Sequence, residues 1–566
     1  MSQWYLGLST SGHDPALALV DAEGTVRFAE ATERFLQDKR AWGVTPDHAP
    51  HLGAALDEAG FDRDRDTLRV GTSWASVKGA MGRPPHDALL SGADTLWMQA
   101  VQTQMQAAAG LSLLRLGLAR EPVEPLRFDH HLCHAVTAAW FAPCDDAVCV
   151  VLDGEGEVGA VSAFDMRARR LTRRWRSWGP GSLGTFYGWL TGLCGFDWRA
   201  GEEWKVMGLA AFGQVDPELA ARMDGMIAVD RGRLRFADED MLRTADALCR
   251  PFGRDPAEPV ERAADLAATG QAVYSAFADR VIGSCMADGA ATDLLLAGGC
   301  ALNSSYNGTL PGRHGIERLH VPPCPADDGN AIGAALLAYM HETGTDAVPR
   351  GDGSPFLGHM ARTRTLDKMR ASAKGFVIRE TGGMGGAARA VAGCLAEGRI
   401  LGVMRGRAEF GPRALGHRSI LADPQQTGMK DRINAEVKGR EAYRPFAPAL
   451  RLADTATWFG RSVPSPYMSL TLPWLSDRPA PVAATVHADG TGRLQTVEPH
   501  TAPWMSTLLG ALEQATGVPV VLNTSFNIMG KPIVHSVEDA AGMLMTSGLD
   551  AILVEDTLIE KPLAAS

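Results

Sequence analysis

Short apolar runs that stop at glycine-rich turns constrain this chain most. Ala147-Val-Cys-Val-Val-Leu152 is apolar throughout and ends at Asp153-Gly-Glu-Gly-Glu157, while Asp293-Leu-Leu-Leu-Ala297 runs into Gly298-Gly299 and Asn303. Apolar runs of this length, closed by turn residues, read as strands buried on both faces. A glycine turn between strand and helix lets backbone amides approach a ligand closely. The opening residues repeat the theme. Tyr5 to Asp14, Ala16 to Val20, Asp21 to Gly24 and Val26 to Ala29 read as two or three strands with tight turns. Helix signals follow at Glu30 to Arg34 and from Thr45 to Ala59, the latter Pro-led and stopped at Gly60. Alternation of strand, glycine turn and helix predicts a layered α/β architecture.

Between Thr343 and Thr365, Gly, Pro, Asp and Arg replace the periodic apolar residues, which predicts two units, 1–352 and 353–566. The second carries a helix from Gly385 to Gly398, a strand from Ile400 to Met404, a basic glycine loop and a final strand, Ala551 to Val554. No internal repeat is visible, and Asp216 to Arg262 is polar and has no clear pattern.

Composition narrows the function classes. With 45% hydrophobic and 21% charged residues in a chain of 566, the protein is globular, not extended and disordered. A net charge of −11 without a Lys/Arg block argues against nucleic acid as principal partner, because phosphate contacts dominate that affinity. No apolar run approaches the roughly 18 residues a spanning helix needs, and the amino terminus has no basic region followed by an apolar stretch. A cytoplasmic protein with a small-molecule partner and no membrane association is expected. Nine cysteines, none in a C-x-x-C pair, indicate neither a disulfide framework nor a zinc ribbon. Cys133 and Cys324, which adjoin candidate ligands, read as packing residues.

Two segments carry chemistry. Asp129-His130-His131-Leu-Cys-His134 has helical spacing with an acidic start, so His130 and His134 share a face and can grip one metal while His131 points elsewhere. Asp153 and Asp327 could supply carboxylates. Such a set suits iron(II), with manganese or zinc as substitutes. The second segment, Arg405-Gly-Arg407-Ala-Glu409-Phe-Gly411-Pro-Arg413-Ala-Leu-Gly416-His-Arg418-Ser419, interleaves arginines with glycines and can wrap phosphate. Lys438, Arg440 and Arg444 extend its basic content. Asn523-Thr-Ser525-Phe-Asn527 offers amides and hydroxyls at a strand end.

In order along the chain, Gly12-His13-Asp14, His130-His131-x-x-His134, Asp153-Gly, Lys205-Val-Met-Gly208, Ala297-Gly-Gly299-x-x-Leu-Asn303, Glu409-Phe-Gly-Pro-Arg-Ala-Leu-Gly416-x-Arg-Ser419, Arg444-Pro-Phe-Ala-Pro448 and Asn523-Thr-Ser-Phe-Asn527 resemble the nodulation-type O-carbamoyltransferases. The resemblance covers nearly the whole chain. It implies an amino-terminal ASKHA (actin-like ATPase) domain of the tRNA threonylcarbamoyltransferase type and a carboxy-terminal YrdC-like domain. It implies that the second domain makes carbamoyl adenylate from carbamoyl phosphate and ATP with Mg2+, and that the adenylate passes inside the protein to the first. There the carbamoyl group reaches a hydroxyl of a small-molecule acceptor. Carried over by matching positions, the resemblance puts iron on His130, His134, Asp153 and Asp327. His13, with Asp14, lies beside the acceptor hydroxyl, and Lys205, Gly298, Gly299 and Asn303 lie at the adenylate. Arg413, Arg418, Lys438 and Arg444 hold ATP and carbamoyl phosphate, with Arg493, Asn523 and Ser525 near the carbamoyl end. Pro15 departs from the family's usual alanine. A tRNA-modifying enzyme and a non-catalytic ASKHA nucleotide sensor are the competing readings, and the hydrogenase-maturation carbamoyltransferases carry zinc-binding C-x-x-C pairs that this chain lacks.

Overall fold

The computed structural model describes residues 2–75, 89–90, 92–372, 376–477 and 480–561. The chain forms two compact units, one built from Met1–Glu33 and Arg40–Gly353, the other from Arg34–Lys39 and Ser354–Ser566.

The first unit holds two five-stranded sheets with one strand order. In the first sheet, β1 (Gln3–Leu8), β2 (Ala16–Val20) and β3 (Val26–Ala31) form an antiparallel meander, and β4 (Thr67–Thr72) and β5 (Leu126–Arg127) add in parallel, giving β3-β2-β1-β4-β5. In the second, β6 (Ala147–Leu152), β7 (Val161–Arg167) and β8 (Arg170–Arg176) again form a meander. A hairpin of β9 (Ile227–Asp230) and β10 (Arg233–Phe236) intervenes, and then β11 (Asp293–Ala297) and β12 (Arg318–His320) add in parallel. The order β12-β11-β6-β7-β8 is the first order read from the other end. This duplication is the ASKHA architecture, and it is invisible as a repeat of residues.

Two helices fill the space between these sheets. His130–Phe141 packs on β6, β7 and β11, Asn330–Thr343 packs on β1, β2 and β4, and the helices pack on each other. Small residues set the spacing. A Cβ on Gly7 would stand 1.9 Å from the Ala331 carbonyl oxygen and 2.4 Å from the Ala335 nitrogen, and one on Gly333 would stand 2.2 Å from the Cys133 carbonyl oxygen. Such approaches are open only to glycine. The helix expected from Thr45 begins at Ala49, because Pro50 and not Pro46 takes the first-turn position, and Gly60 ends it with φ +83° as anticipated. Asp216 to Arg262, unreadable in sequence, contains helix Pro217–Asp224, the β9-β10 hairpin and helix Glu239–Cys249.

The second unit is built on a nine-stranded mixed sheet. Its members are β14 (Val377–Glu380), β15 (Leu401–Met404), β17 (Arg418–Ala422), β18 (Ala447–Arg451), β19 (Leu470–Pro473), β20 (Thr491–Val497), β21 (Val521–Ser525), β22 (Ala551–Val554) and β23 (Thr557–Glu560). The order is β14-β23-β22-β15-β17-β21-β18-β20-β19, and β13 (Phe356–Met360) pairs separately with β16 (Arg407–Glu409). Helices Gly383–Ala396 and Pro503–Thr516 pack on a core with Leu401, Leu421 and Val521, while Val537–Thr546 shares a core with Ile420, Leu522 and Phe526. No helix among the described residues is long and apolar enough to cross a membrane.

The Gly7 contact sets a test of the layer spacing. Gly7→Ala should cost more than about 2 kcal/mol, because backbone and not a movable side chain meets the new methyl. A urea unfolding midpoint equal to that of wild type would contradict the close packing of β1 on Asn330–Thr343.

Candidate metal centre and anion site

In the first unit, four donors converge where strand ends meet helix starts. His130 and His134 lie one turn apart on a helix capped by Asp129, whose side chain accepts from the Leu132 amide at 2.9 Å. His130 Nε2 is 3.0 Å and His134 Nε2 3.3 Å from Asp153 Oδ2, and the same nitrogens are 3.6 and 3.5 Å from Asp327 Oδ1. All four residues are buried, and their donor atoms lie within 4.8 Å of one another. Asp153 ends β6, and its other oxygen, Oδ1, accepts from the Gly299 amide at 2.9 Å. The Ser73 carbonyl, 3.2 Å from His130 Nδ1, keeps a proton on that nitrogen, so the neutral tautomer would ligate through Nε2 once its other proton is lost. Burial opposes charge on both imidazoles, yet Asp327 and Asp153 hold His130 well above, and Asp153 and Asp327 hold His134 above, the usual histidine range. Burial likewise opposes ionisation of Asp153 and Asp327, but the two histidines keep both carboxyls below the usual range. Two imidazoles and two carboxylates around one point fit a divalent cation.

A second cluster borders this centre. His13 Nδ1 is 2.9 Å from Asp14 Oδ2, Arg40 reaches the same oxygen at 3.1 Å, and His13 Nε2 lies 3.7 Å from Asp327 Oδ2. Burial pushes the Asp14 carboxyl up, but Arg40 and His13 outweigh it and hold it well below the usual range. Trp42 packs on His13 at 4.9 Å between ring centroids and on Trp97 at 4.8 Å.

In the second unit, Glu409 organises the arginine-glycine loop. Its Oε1 accepts from the amides of Leu415, His417 and Arg418 at 2.7, 2.8 and 3.1 Å, and Gly411 and Gly416 take φ +116° and +119° to permit the fold-back. Six residues, Ile433–Lys438, form a π-helical turn that delivers Lys438 to the end of β21. There Lys438 Nζ donates to the Ser525 carbonyl, to Ser525 Oγ at 3.2 Å and to Asn527 Oδ1 at 2.8 Å. Burial, then Arg440 and Arg444, push Lys438 well below the usual lysine range. Burial, then Arg413 and Arg440, lower Arg493 strongly. Burial takes Arg413 down to about 10, and burial with Arg444 takes Arg440 down to about 9. Cations that repel one another in a dehydrated site are poised for a polyanion.

Comparison with known proteins gives matches in both units. Residues 89–336 match the family model for the carbamoyltransferase N-terminus and residues 392–561 that for the carbamoyltransferase C-terminus. An uncharacterized protein of Synechocystis, sll1178, is 30% identical, the alignment covering 98% of this chain and 96% of that one. Nodulation protein NolO of Bradyrhizobium diazoefficiens is 33% identical over 76% of this chain and 79% of its own. The 3'-hydroxymethylcephem-O-carbamoyltransferase of Amycolatopsis lactamdurans is 31% identical over 76% and 80%. The chain belongs to the carbamoyltransferase family.

Several sequence expectations meet a different geometry in this carbamoyltransferase. The amides of Gly298 and Gly299, expected to face a ligand, are used internally. Gly298 donates to the Pro325 carbonyl at 2.8 Å and Gly299 to Asp153, so the turn aims a carboxylate. Gly298 holds φ +88°, and a Cβ there would lie 2.2 Å from the Leu152 carbonyl oxygen. Asn303 caps a short helix through the Tyr306 amide and pairs with Gln271. Arg418 is fully buried and donates to the carbonyls of Arg405, His417, His359 and Gly406. Its place among glycines reads as a phosphate ligand, but its guanidinium is consumed in holding the loop. Lys205 pairs with Glu202 at 2.5 Å and lies over the Phe196 ring. His131 turns away as expected, with Nδ1 on Ser162 Oγ at 2.8 Å and burial pushing it down to about 3. Cys133 and Cys324 are buried with thiols pushed far up by burial. Sequence reasoning missed Glu157, which accepts from the His130 and Ala75 amides, Arg40, and the loop-folding role of Glu409.

Three outcomes check these sites. His130→Ala and His134→Ala should abolish stoichiometric metal in elemental analysis, whereas His131→Ala should retain it. Because Asp153 and Asp327 raise the proton affinity of both ligand imidazoles, metal and protons compete for them, so metal affinity should fall on acidification, with proton release on binding in weakly buffered solution. In the second unit, pyrophosphate should raise the melting temperature, more strongly at low salt, and Arg493→Ala should remove most of that rise.

Proposed function

We propose that the protein is an ATP-dependent O-carbamoyltransferase acting on a hydroxyl of a small molecule, through two reactions at two sites. In the second unit, carbamoyl phosphate, ATP and water give carbamoyl adenylate, pyrophosphate and phosphate. The single observation that carries this reading is the buried cation group of Arg413, Lys438, Arg440 and Arg493, lowered by burial and, for the last three, by repulsion from neighbouring guanidiniums, with Arg444 beside it paired to Glu441. Mg2+ accompanies the nucleotide. Guanidinium forks and Lys438 neutralise charge on the phosphates as pyrophosphate departs.

The second reaction belongs to the first unit. An acceptor oxygen bonds to the carbamoyl carbon, the bond from that carbon to the adenylate oxygen breaks, and AMP leaves with the electron pair. Asp14 Oδ2 and the Arg40 guanidinium lie 2.9 and 3.0 Å from His13 Nδ1; in the tautomer whose Nδ1–H donates to Asp14, Nε2 is the base that takes the acceptor proton. Its position 3.7 Å from an Asp327 oxygen sets it beside the candidate metal ligands. His130, His134, Asp153 and Asp327 would hold iron(II), with manganese or zinc able to use the same donors, and such an ion supplies Lewis acidity. A hydroxylated acceptor is also in keeping with the cephem O-carbamoyltransferase among the relatives. The charge of −11 favours a small acceptor over RNA.

Pyrophosphate release separates the two reactions. Arg413→Ala or Lys438→Ala should lower release from carbamoyl phosphate and ATP by on the order of 100-fold. His134→Ala should leave it near wild type while abolishing transfer to hydroxylated acceptors. Wild-type release in both cation variants would overturn the assignment of adenylate formation to this group.

A further inference from the structure

Two amide side chains of the second unit meet across a strand. β18 lies between β20 and β21, with Ala449 opposite Gln495 and Ala447 opposite Asn523. Gln495 and Asn523 therefore rise from one face of the sheet, and the small alanines between them leave room for contact. Asn523 Nδ2 donates to Gln495 Oε1 at 2.7 Å and to the Ala414 carbonyl at 3.2 Å, and Gln495 Nε2 donates to the Leu415 carbonyl at 3.0 Å. Both residues are 1% exposed. A carbonyl only accepts, so Leu415 fixes the nitrogen end of Gln495, whose oxygen then fixes the nitrogen end of Asn523. Asn523 Oδ1 is left buried without a hydrogen-bond partner.

The strand register brings two further polar side chains to this face. Arg493 stands two residues before Gln495 on the same face of β20, and Ser525 two after Asn523 on the same face of β21, where it accepts from Lys438. Ala414 and Leu415 belong to the loop that carries Arg413. A buried acceptor without a partner is costly unless a ligand completes it.

We propose that Gln495 is a positioning residue that turns Asn523 Oδ1 toward the acyl end of the ligand, so that the site accepts an acyl phosphate bearing an N–H group and rejects one bearing a methyl group. This rests on the carbamoyl phosphate reading above. The cations satisfy the phosphate whatever the acyl group, but only an N–H satisfies Oδ1. Acetyl phosphate has nearly the same shape and leaves that oxygen unpaired.

The test compares pyrophosphate release by the intact protein with ATP and either carbamoyl or acetyl phosphate. Wild type should favour carbamoyl phosphate by at least about 100-fold in kcat/KM. Gln495→Met, which fills similar space without polar atoms, should lower the carbamoyl value about 10-fold or more and leave the acetyl value within about twofold. Ala449→Val, which wedges the amides apart without touching a polar group, should compress the ratio likewise. In both, an unchanged melting temperature and unchanged inhibition by inorganic phosphate show that the fold and the phosphate end persist. A selectivity ratio unmoved in either folded variant, or both substrates falling together, overturns the role of Gln495 while leaving the proposed function standing. A wild type that releases no pyrophosphate from carbamoyl phosphate and ATP overturns the proposed function, and this inference with it.

Discussion

Asp153 ties the first unit together. One carboxylate oxygen takes the Gly299 amide and so joins the end of β6 to the turn after β11, while the other stands within 3.3 Å of two histidines on a separate helix. Taking a carboxylate out of water is costly, and it is sustained here because both oxygens are engaged. The positive φ of Gly298, the cap at Asp129 and the tautomer of His130 all serve to bring partners to this one side chain.

The two sites solve the problem of buried charge in opposite ways. Around Asp153 the charges are balanced within the protein, two acids against two imidazoles, and an incoming cation would displace protons. Around Lys438 the balance is left open, because the nearest groups are other cations and neutral carbonyls. The first arrangement suits a resident cation, whereas the second suits a transient anion. Such a division suits the two-reaction scheme proposed above.

The parts of this design that depend on local periodicity were legible in the residues. His130 and His134 share a face because four residues make one helical turn, and the Ala147 to Leu152 run could be little other than a buried strand ending at Asp153. The parts that depend on register or long-range pairing were not. Arg418 stands in the same glycine-rich segment as Arg413, and only the position of β17 beside β15 turns it inward onto carbonyls. Gln495 carries no motif, since its role needs three strands aligned with alanines in the middle one. The duplicated sheet order left no trace because two unlike sets of residues satisfy one pattern of buried strands.

That duplication has a mechanical consequence. His13 and Asp14 occupy the turn between β1 and β2, and Asp153 opens the equivalent turn between β6 and β7, so the centre draws on corresponding corners of two lobes. The lobes meet through helices that touch backbone to backbone at Gly333 and Cys133, and one turn away Thr137 Oγ1 donates to the Gly329 carbonyl at 2.8 Å. His130 and His134 ride on one of those helices, and Asp327 leads into the other. An ion gripped by this set would tie the two lobes together at the point where their corresponding corners meet.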